Sequence, residues 1–263
     1  MSITVQDICQ TLEAFAPLNL QESYDNAGLL VGELDTPVRA VLVCLDVTES
    51  VMEEAVAKGC NMVVSHHPLI FKGVKAITGP DRITRCLIKA IQHNIALYAC
   101  HTNADSVFDG VNGRMAEMLH LQDCRILASK PGETHVGLGM LGRLNTPMPV
   151  ESFLQEVKRV FNVHTLRHSG YEPHAVIRTV ALCGGSGSEF YTDAKRAGAD
   201  VFITADVKFH AFFTQGSPVL LVDAGHFETE QFTKALFVEL LSKKFPTFAV
   251  HISTAETNPV HYF

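Results

Sequence analysis

Short, largely apolar runs that stop at polar side chains recur along the chain and predict buried β-strands. A continuous apolar run of about four to eight residues is typical of a strand that is covered on both faces of a sheet. The runs are Val38–Asp46, Met62–Ser65, the segment ending at Ala99, Arg178–Cys183, Asp200–Thr204, Val219–Asp223 and Phe248–Ile252.

Helical periodicity is found between these strands. Val5, Ile8, Leu12 and Phe15 follow one another at helical spacing, and Thr4 before them is a suitable N-cap. Alternation of strands with helices predicts an α/β fold with mostly parallel sheets flanked by helices. The further predicted helices begin after Thr48 or span Ile83–Gln92, Pro149–Val160 and the segment from His226 to Phe245.

Chain length and composition limit the number of domains. The chain has 263 residues, of which 47% are hydrophobic, enough for one large domain or two ordinary ones. A break at Lys130–Gly132 and the Gly-rich stretch Gly137–Gly142 mark a candidate boundary between two lobes.

Charge and cysteine usage exclude several classes of protein. The net charge is −7, which disfavours nucleic acid as a partner because such binding rests on clustered Lys and Arg. We expect neither a signal peptide nor a membrane helix, which needs about 18 or more apolar residues. The seven cysteines are scattered without a Cys-x-x-Cys pair, which favours reduced thiols in a cytoplasmic protein.

Metal-capable side chains follow three of the predicted strands. His66 and His67 follow one strand, Asp105 follows the next, and His226 and Glu230 follow a third far downstream. Parallel strands end at one rim of a sheet, where ligands bind. His226 and Glu230 are four residues apart, so a helix that begins near His226 would place both on one face. Imidazoles and carboxylates of this kind predict a two-metal centre that suits Fe, Zn or Mn better than Ca.

Other candidate residues lie near the same strand ends. His101 is either a direct ligand or a donor that fixes a ligating carboxylate. Asp206 and His210 are four residues apart and are candidate catalytic residues that shuttle protons, or they cap a helix. The Gly184–Ser188 loop joins a strand to a helix, so it either cradles an anion with backbone N–H groups or forms a tight turn.

Five motifs in a fixed order carry a family resemblance. They are Tyr24–Leu29, Ser65–Phe71, His101–Asp105, Thr204–His210 and Asp223–Glu230. With them the chain resembles the NGG-interacting-factor-like family, whose members are also called GTP cyclohydrolase 1 type 2 homologues. The chain departs from the family at Tyr24, where Trp is frequent, at Ala205, where Gly is frequent, and at Phe209, where an aromatic hydroxyl or His is common.

The resemblance implies an architecture and a cofactor. It implies two interleaved α/β lobes, one of residues 1–128 with 225–263 and one of residues 129–224, in the short form that lacks a domain inserted mid-chain. It also implies a ring-shaped homohexamer. The ligands that it implies for two divalent metal ions per chain are His66, His67, Asp105, His226 and Glu230.

Two functions are compatible with these residues. The first is a metal-dependent hydrolase acting on a nucleotide or phosphorylated small molecule, with GTP implied by the family name. Three neutral imidazoles and two carboxylates would leave two divalent ions with about two positive charges, which favours an anionic substrate. The second is a non-catalytic ring for metal storage or delivery, or a scaffold for protein partners, which needs the ligands but no acid–base pair.

Overall fold

The structure, a computed structural model, describes residues 2–214, 216–255 and 257–263. The chain forms two compact units. A terminal unit combines the residues up to Ala104 with Phe232–Phe263, and a central unit comprises Asp105–Gln231. Each unit contains a sheet with helices, which confirms the mixed α/β class. The lobe boundaries predicted at 128/129 and 224/225 are not those of these two units and stay a prediction.

Strands and helices of the described residues are numbered in chain order. The strands are β1 (Gly28–Val31), β2 (Ala40–Cys44), β3 (Met62–Ser65), β4 (Ala96–Ala99), β5 (Gln122–Ser129), β6 (Gly137–Pro149), β7 (Arg167–His168), β8 (Val176–Leu182), β9 (Val201–Thr204), β10 (Leu220–Asp223) and β11 (Ala249–Ile252). The helices are α1 (Val5–Phe15), α2 (Glu49–Ala57), α3 (Arg82–Gln92), α4 (Thr102–Asp105), α5 (Val111–Met118), α6 (Val150–Phe161), α7 (Tyr191–Arg196), α8 (His226–Glu230) and α9 (Thr233–Lys244).

The terminal unit is organised around a sheet with the order β1-β4-β3-β2-β11. Every strand except β1 runs parallel to its neighbour, as predicted. The strands β2, β3 and β4 are buried along their whole length, which a parallel sheet covered by helices requires. Val51 of α2 and Leu87 of α3 pack into the same core as Leu42 and Val63 of the sheet.

The predicted helix starts are confirmed in this unit. The Thr4 hydroxyl accepts from the Asp7 N–H at the start of α1, while the Asp7 carboxylate accepts from the Thr4 N–H at 2.8 Å. Thr48 caps α2 by accepting from the Val51 N–H. These bonds satisfy N–H groups that have no partner inside the helix.

Glu54 of α2 ties this helix to the segment after β11. Its carboxylate accepts hydrogen bonds from the Ser253 hydroxyl at 2.5 Å, the Thr254 N–H at 3.0 Å and the Ala255 N–H at 3.1 Å. Lys58 adds an ion pair at 2.7 Å, and the Glu54 side chain is only 9% exposed. Burial raises the pKa of Glu54, but these partners together lower it below its ordinary range.

We expect Glu54→Ala to lower the free energy of unfolding by about 2–3 kcal/mol, because hydrogen bonds to a charged group are the strong ones. The control is Glu53→Ala, which removes an exposed ion pair with Lys89 and should cost less than about 1 kcal/mol. The Glu54 contribution is fully present above its ordinary pKa of 4.5 and declines as the pH falls from that value through the lowered folded pKa. Denaturant unfolding at pH 7 and at about pH 3 measures both effects, and equal losses in the two variants would contradict the assignment.

The central unit has a sheet with the order β5-β6-β8-β9-β10-β7. Only the pairs β8–β9 and β9–β10 are parallel, whereas β5–β6, β6–β8 and β7–β10 are antiparallel. The prediction of mostly parallel sheets is therefore wrong for this unit. The physical reason is the short turn between β5 and β6, closed by the Lys130 N–H donating to the Val136 carbonyl at 2.9 Å, since a short connection joins antiparallel strands.

The Gly-rich stretch that marked a candidate boundary lies inside strand β6. A Cβ on Gly137 would come within 2.2 Å of the Ala128 carbonyl oxygen in β5. Glycine is needed there because the two backbones approach closely. Residues 137–142 therefore pair within a sheet and do not form a linker.

None of the described helices is long and apolar enough to span a bilayer. All seven cysteines are free thiols, and all but Cys124 are buried. These free thiols are compatible with the expected reduced cysteines, and both the reduced state and the cytoplasmic location inferred from it stay predictions.

Candidate metal centre

Candidate site residues follow the carboxyl ends of parallel strands in both units. In the terminal unit, His66 and His67 follow β3 and His101 follows β4. In the central unit, Asp206 follows β9 and His226 follows β10. This is the placement predicted from the strand ends.

Three imidazoles of the terminal unit form one cluster. His66, His67 and His101 each offer one donor atom, and these atoms lie within 4.8 Å of one another. The ring centroids are 5.0–5.4 Å apart. His66 is fully buried, and the side chain of His101 is 17% exposed. The cluster can hold a metal ion.

The hydrogen bonds behind these rings select the nitrogen that can ligate. In each ring, Nδ1 lies beside an oxygen that only accepts, so Nδ1 carries the proton and Nε2 of the neutral ring keeps its lone pair. Metal-binding histidines in proteins show this arrangement. The pairs are His66 with the Cys100 carbonyl at 2.9 Å, His67 with Asp46 at 3.1 Å, and His101 with Asp25 at 2.7 Å.

Asp25 is the most heavily engaged of these acceptors. Besides the His101 ring, it accepts from the Thr102 N–H at 3.1 Å, the Thr102 hydroxyl, and the Asn26 N–H at 2.7 Å. Burial raises the pKa of Asp25, but the hydrogen bonds from His101, Thr102 and Asn26 lower it to about 2. Asp25 is therefore ionised and fixes the orientation of His101.

A second pair of candidate metal ligands, His226 and Glu230, lies in the central unit. His226 Nε2 is 3.0 Å from Glu230 Oε2 within α8, and His226 Nδ1 is 2.7 Å from Asp206 Oδ2. Burial lowers the pKa of His226, but the hydrogen bonds and charges of Asp206 and Glu230 raise it to about 11. The ring thus lies between two carboxylates, and a divalent cation can take the place of the Nε2 proton.

Asp206 is held in an unusual backbone conformation. Its φ is +53°, a left-handed value that Asp adopts more readily than most residues. The next residue is fixed on both sides, because the Val207 N–H donates to Asp223 at 3.0 Å and the Val207 carbonyl accepts from Arg167 at 3.1 Å. Such over-determined residues are typical of functional sites, and here the conformation aims Asp206 at His226.

Asp105 ends α4 and belongs to the central unit. Its backbone carbonyl accepts from the Asn112 side chain at 3.1 Å. Burial first, and then the negative charges of Asp105, Glu189 and Glu230, raise the pKa of the Cys183 thiol well above its ordinary range. Asp105 and Glu230 thus act electrostatically on the same buried thiol.

The Gly184–Ser188 loop packs against Glu230. The Gly184 N–H donates to Asn112 at 2.9 Å, the Gly185 N–H to Thr229 Oγ1 at 3.0 Å, and the Gly187 N–H to Thr204 Oγ1 at 3.0 Å. These three amides are engaged within the protein, so they favour the tight turn over the anion cradle.

His210 has a different environment from Asp206. It lies in a one-turn helix, edge-on to the Phe209 ring and tilted against the Phe213 ring, at centroid distances of 5.3 and 6.2 Å. Both phenylalanines are largely exposed. The roles of Asp206 and His210 in proton transfer stay a prediction.

Nitrogen and carboxylate donors of this kind fit a divalent transition metal, since imidazole suits Zn and Fe and carboxylate suits Mn.

Comparison with known proteins agrees with the motifs. Residues 3–259 match the family described as Duf34/NIF3 (NGG1p interacting factor 3). The chain belongs to this family.

Curated DUF34/NIF3 relatives cover most of the chain. A protein of Clostridium acetobutylicum named GTP cyclohydrolase 1 type 2 homolog is 37% identical over 232 residues, which is 88% of this chain and 86% of the relative. A Streptococcus pneumoniae protein of the same name is 35% identical and covers 97% of this chain and 98% of its own length.

Solved DUF34/NIF3-like structures share the fold. Staphylococcus aureus protein SA1388 superimposes with a TM-score of 0.90 at 30% identity, covering 99% of both chains. Reduced HcgD from Methanocaldococcus jannaschii gives a TM-score of 0.79 at 26% identity, covering 96% of this chain and 98% of HcgD. The predicted family is confirmed.

Comparison with a longer relative confirms that this chain is the short form of the family. The Bacillus subtilis GTP cyclohydrolase 1 type 2 homolog aligns over 368 positions, covering 98% of both chains. That alignment is longer than the 263 residues of this chain, so the relative carries residues that this chain lacks.

Sequence reasoning missed two carboxylates of the DUF34/NIF3 chain. The sequence assigns no role to Asp25 within the first family motif and treats Asp46 only as the end of a strand, yet both carboxylates contact imidazoles of the cluster. The presence of Asp25 in the first family motif was the signal that could have identified it.

Proposed function

We propose that this protein is a metal-dependent hydrolase with two divalent ions per chain, ligated by His66, His67, Asp105, His226 and Glu230. One observation carries the proposal. Nδ1 lies at an accepting oxygen in each of four candidate site histidines, which directs Nε2 to a ligand; they are His66, His67, His101 and His226. His101 shares this pattern, and we assign it as a further ligand.

The pre-oriented rings favour a resident metal over one that is delivered elsewhere. Each ring is fixed before any ion binds, so little side-chain entropy is lost on binding, and outer partners of this kind raise metal affinity about 10–100-fold. Two bound ions supply a water-derived nucleophile at neutral pH and polarise the scissile bond. The identity of the metal as Fe, Zn or Mn belongs to the proposal.

The residues of the chain have distinct parts in this proposal. Asp25, Asp46 and Asp206 orient His101, His67 and His226. Glu230 has a buried carboxylate whose two oxygens suit it to shared ligation. His210, exposed among aromatic rings, is the remaining candidate for moving a proton to solvent.

The net charge of the proposed metal site does not by itself favour an anionic substrate once the carboxylates behind the rings are counted. Two divalent ions carry four positive charges and the ligands Asp105 and Glu230 carry two negative ones. The carboxylates behind the rings, Asp25, Asp46 and Asp206, add three more negative charges at longer range. We therefore keep a nucleotide or phosphorylated small molecule as the proposed substrate, with GTP taken from the names of the relatives.

The test compares the wild-type protein with Glu230→Ala after loading with Zn, Fe or Mn. We expect wild-type hydrolysis of nucleotides or phosphoesters that depends on added metal, and at least about a 100-fold lower kcat in the variant, because a proposed metal ligand is lost. The control is Glu239→Ala in α9. Equal rates in wild type and Glu230→Ala would refute the proposal and favour the metal-binding ring without catalysis.

We also propose the homohexameric ring that the resemblance implies. Sedimentation velocity at micromolar concentration should give a species of about six times the chain mass of 28.8 kDa. A monomer alone at that concentration would exclude it.

A further inference from the structure

Two exposed aromatic rings stand beside the histidine cluster of the terminal unit. The Tyr24 ring is 6.3 Å from the Phe71 ring, and the Phe71 ring is 6.2 Å from the His101 ring, in an edge-on arrangement. Tyr24 is 62% exposed and Phe71 is 42% exposed. Large aromatic side chains are usually well buried, so this exposed pair at the edge of a metal-ligand cluster offers apolar surface to a ligand.

The backbone holds the two rings in place. The Asn26 side-chain amide donates to the Ile70 carbonyl at 2.5 Å, which joins the segment that carries Tyr24 to the segment that carries Phe71. Asp25, next to Tyr24, is fixed by His101 and Thr102. The rings are thus tied to the same hydrogen bonds that orient the cluster.

The segment after Phe71 adds positive charge. Residues 71–78 are all exposed, and they include Lys72 and Lys75. Positive charge on an exposed segment of a chain with a net charge of −7 is suited to a phosphate that enters next to the cluster.

We propose that Tyr24 and Phe71, whose rings are tilted by 53° to each other, form a stacking platform in which one ring lies against the face of a planar heteroaromatic ring and the other against its edge. The substrate class is then a nucleotide and not a simple phosphoester. This inference rests on the proposed function and adds its substrate class. A nucleobase fits because every base presents a π-face, and stacking on an aromatic side chain changes affinity about tenfold or more. The platform would hold the ring while Lys72 and Lys75 attract the phosphate.

A second copy of the chain is the other occupant that such a surface could have. Exposed aromatic rings also occur in protein interfaces. The lysines and the adjoining imidazoles favour the nucleotide, because charged residues are depleted at the centre of an interface. Ligand quenching and sedimentation separate the two occupants.

The chain offers a clean reporter, because it contains no tryptophan. Tyr24→Trp introduces one at the platform, at a position where the resembling family often has Trp. We expect GMP to quench its emission in a saturable way in chelator-treated protein. Ribose 5-phosphate, which has the phosphate but no base, should bind at least about tenfold more weakly.

Phe71→Ala in the Tyr24→Trp background should weaken GMP binding about tenfold. Phe213→Ala in the same background is the matched control, since Phe213 is an exposed phenylalanine with an aromatic neighbour in the central unit, and it should leave binding unchanged. Circular dichroism and zinc content establish that each variant is folded and carries its metal sites.

Three results would overturn the platform. The first is no quenching by GMP, and the second is equal affinity for GMP and ribose 5-phosphate. The third is that Phe71→Ala changes the sedimentation coefficient without changing GMP binding, which would mark an interface between copies of the chain. Failure of the platform differs from failure of the hydrolase. Metal-dependent turnover without base preference refutes only the platform, and base-dependent quenching without turnover refutes only the hydrolase.

Discussion

Replacing Asp105 with alanine is expected to remove at least one of two metal ions per chain while the protein stays folded. The carboxylate is a proposed ligand, and the loss of a direct ligand should weaken metal binding more than the 10–100-fold typical of an outer partner. The hydrogen bond from Asn112 would remain in the variant, because its acceptor is the Asp105 backbone carbonyl.

Elemental analysis after dialysis against a limiting zinc buffer measures the effect. Asp109→Ala is the matched control, because Asp109 is an exposed acidic residue four positions further along the chain. The control should retain the wild-type metal content. Unchanged metal content in Asp105→Ala would remove Asp105 from the ligand set.

Gly185→Ala is expected to damage both stability and metal binding. Gly185 has φ +60°, and a Cβ there would lie 2.1 Å from Glu230 Oε1 and 3.3 Å from His226 Nε2. The left-handed conformation costs a side chain about 1–2 kcal/mol, and the clash with a buried carboxylate adds about 1–3 kcal/mol. Because Glu230 must move, zinc affinity should fall about 10–100-fold.

Gly198→Ala separates the two costs. Gly198 has φ +74°, and a Cβ there would meet no atom within 4 Å, so this variant carries the backbone strain without the clash. It should lose about 1–2 kcal/mol in denaturant unfolding and keep wild-type zinc affinity in calorimetric titration. Indistinguishable zinc affinities for the two variants would show that the loop does not position Glu230.

The sequence predicted the elements that carry the candidate ligands. The apolar run of β3 and the cap at Thr48 are local signals, and the structure has both where they were predicted. The spacing of His226 and Glu230 predicted a shared helical face, and α8 runs from the one residue to the other. These features depend on periods of two and 3.6 residues, which the sequence alone specifies.

Sheet pairing in the central unit depended on tertiary structure. Local periodicity identifies a strand but not the direction of its neighbour. The Gly-rich β6 was interpreted as a boundary because glycine is common in loops, whereas Gly137 is required by the close approach of β5. Such an approach involves a partner strand, so composition cannot predict it.

The amides of the Gly184–Ser188 loop show the same limit. From sequence, a Gly loop between strand and helix offers donors for an anion. In the fold, side chains distant in the sequence accept from three of these amides, among them Asn112 and Thr229. Whether an amide is available depends on which side chains the fold brings to it, and this the sequence does not specify.

The sequence by itself determined which residue types lie at the strand ends, and with them the family and the candidate ligands. Only the tertiary structure decided which nitrogen of each imidazole can ligate, because the deciding acceptors are remote. Asp25 lies 76 residues from His101, and Asp206 lies 20 residues from His226. Hydrogen bonds over such separations arise from packing and not from local pattern, so the orientation of the rings is a property of the fold.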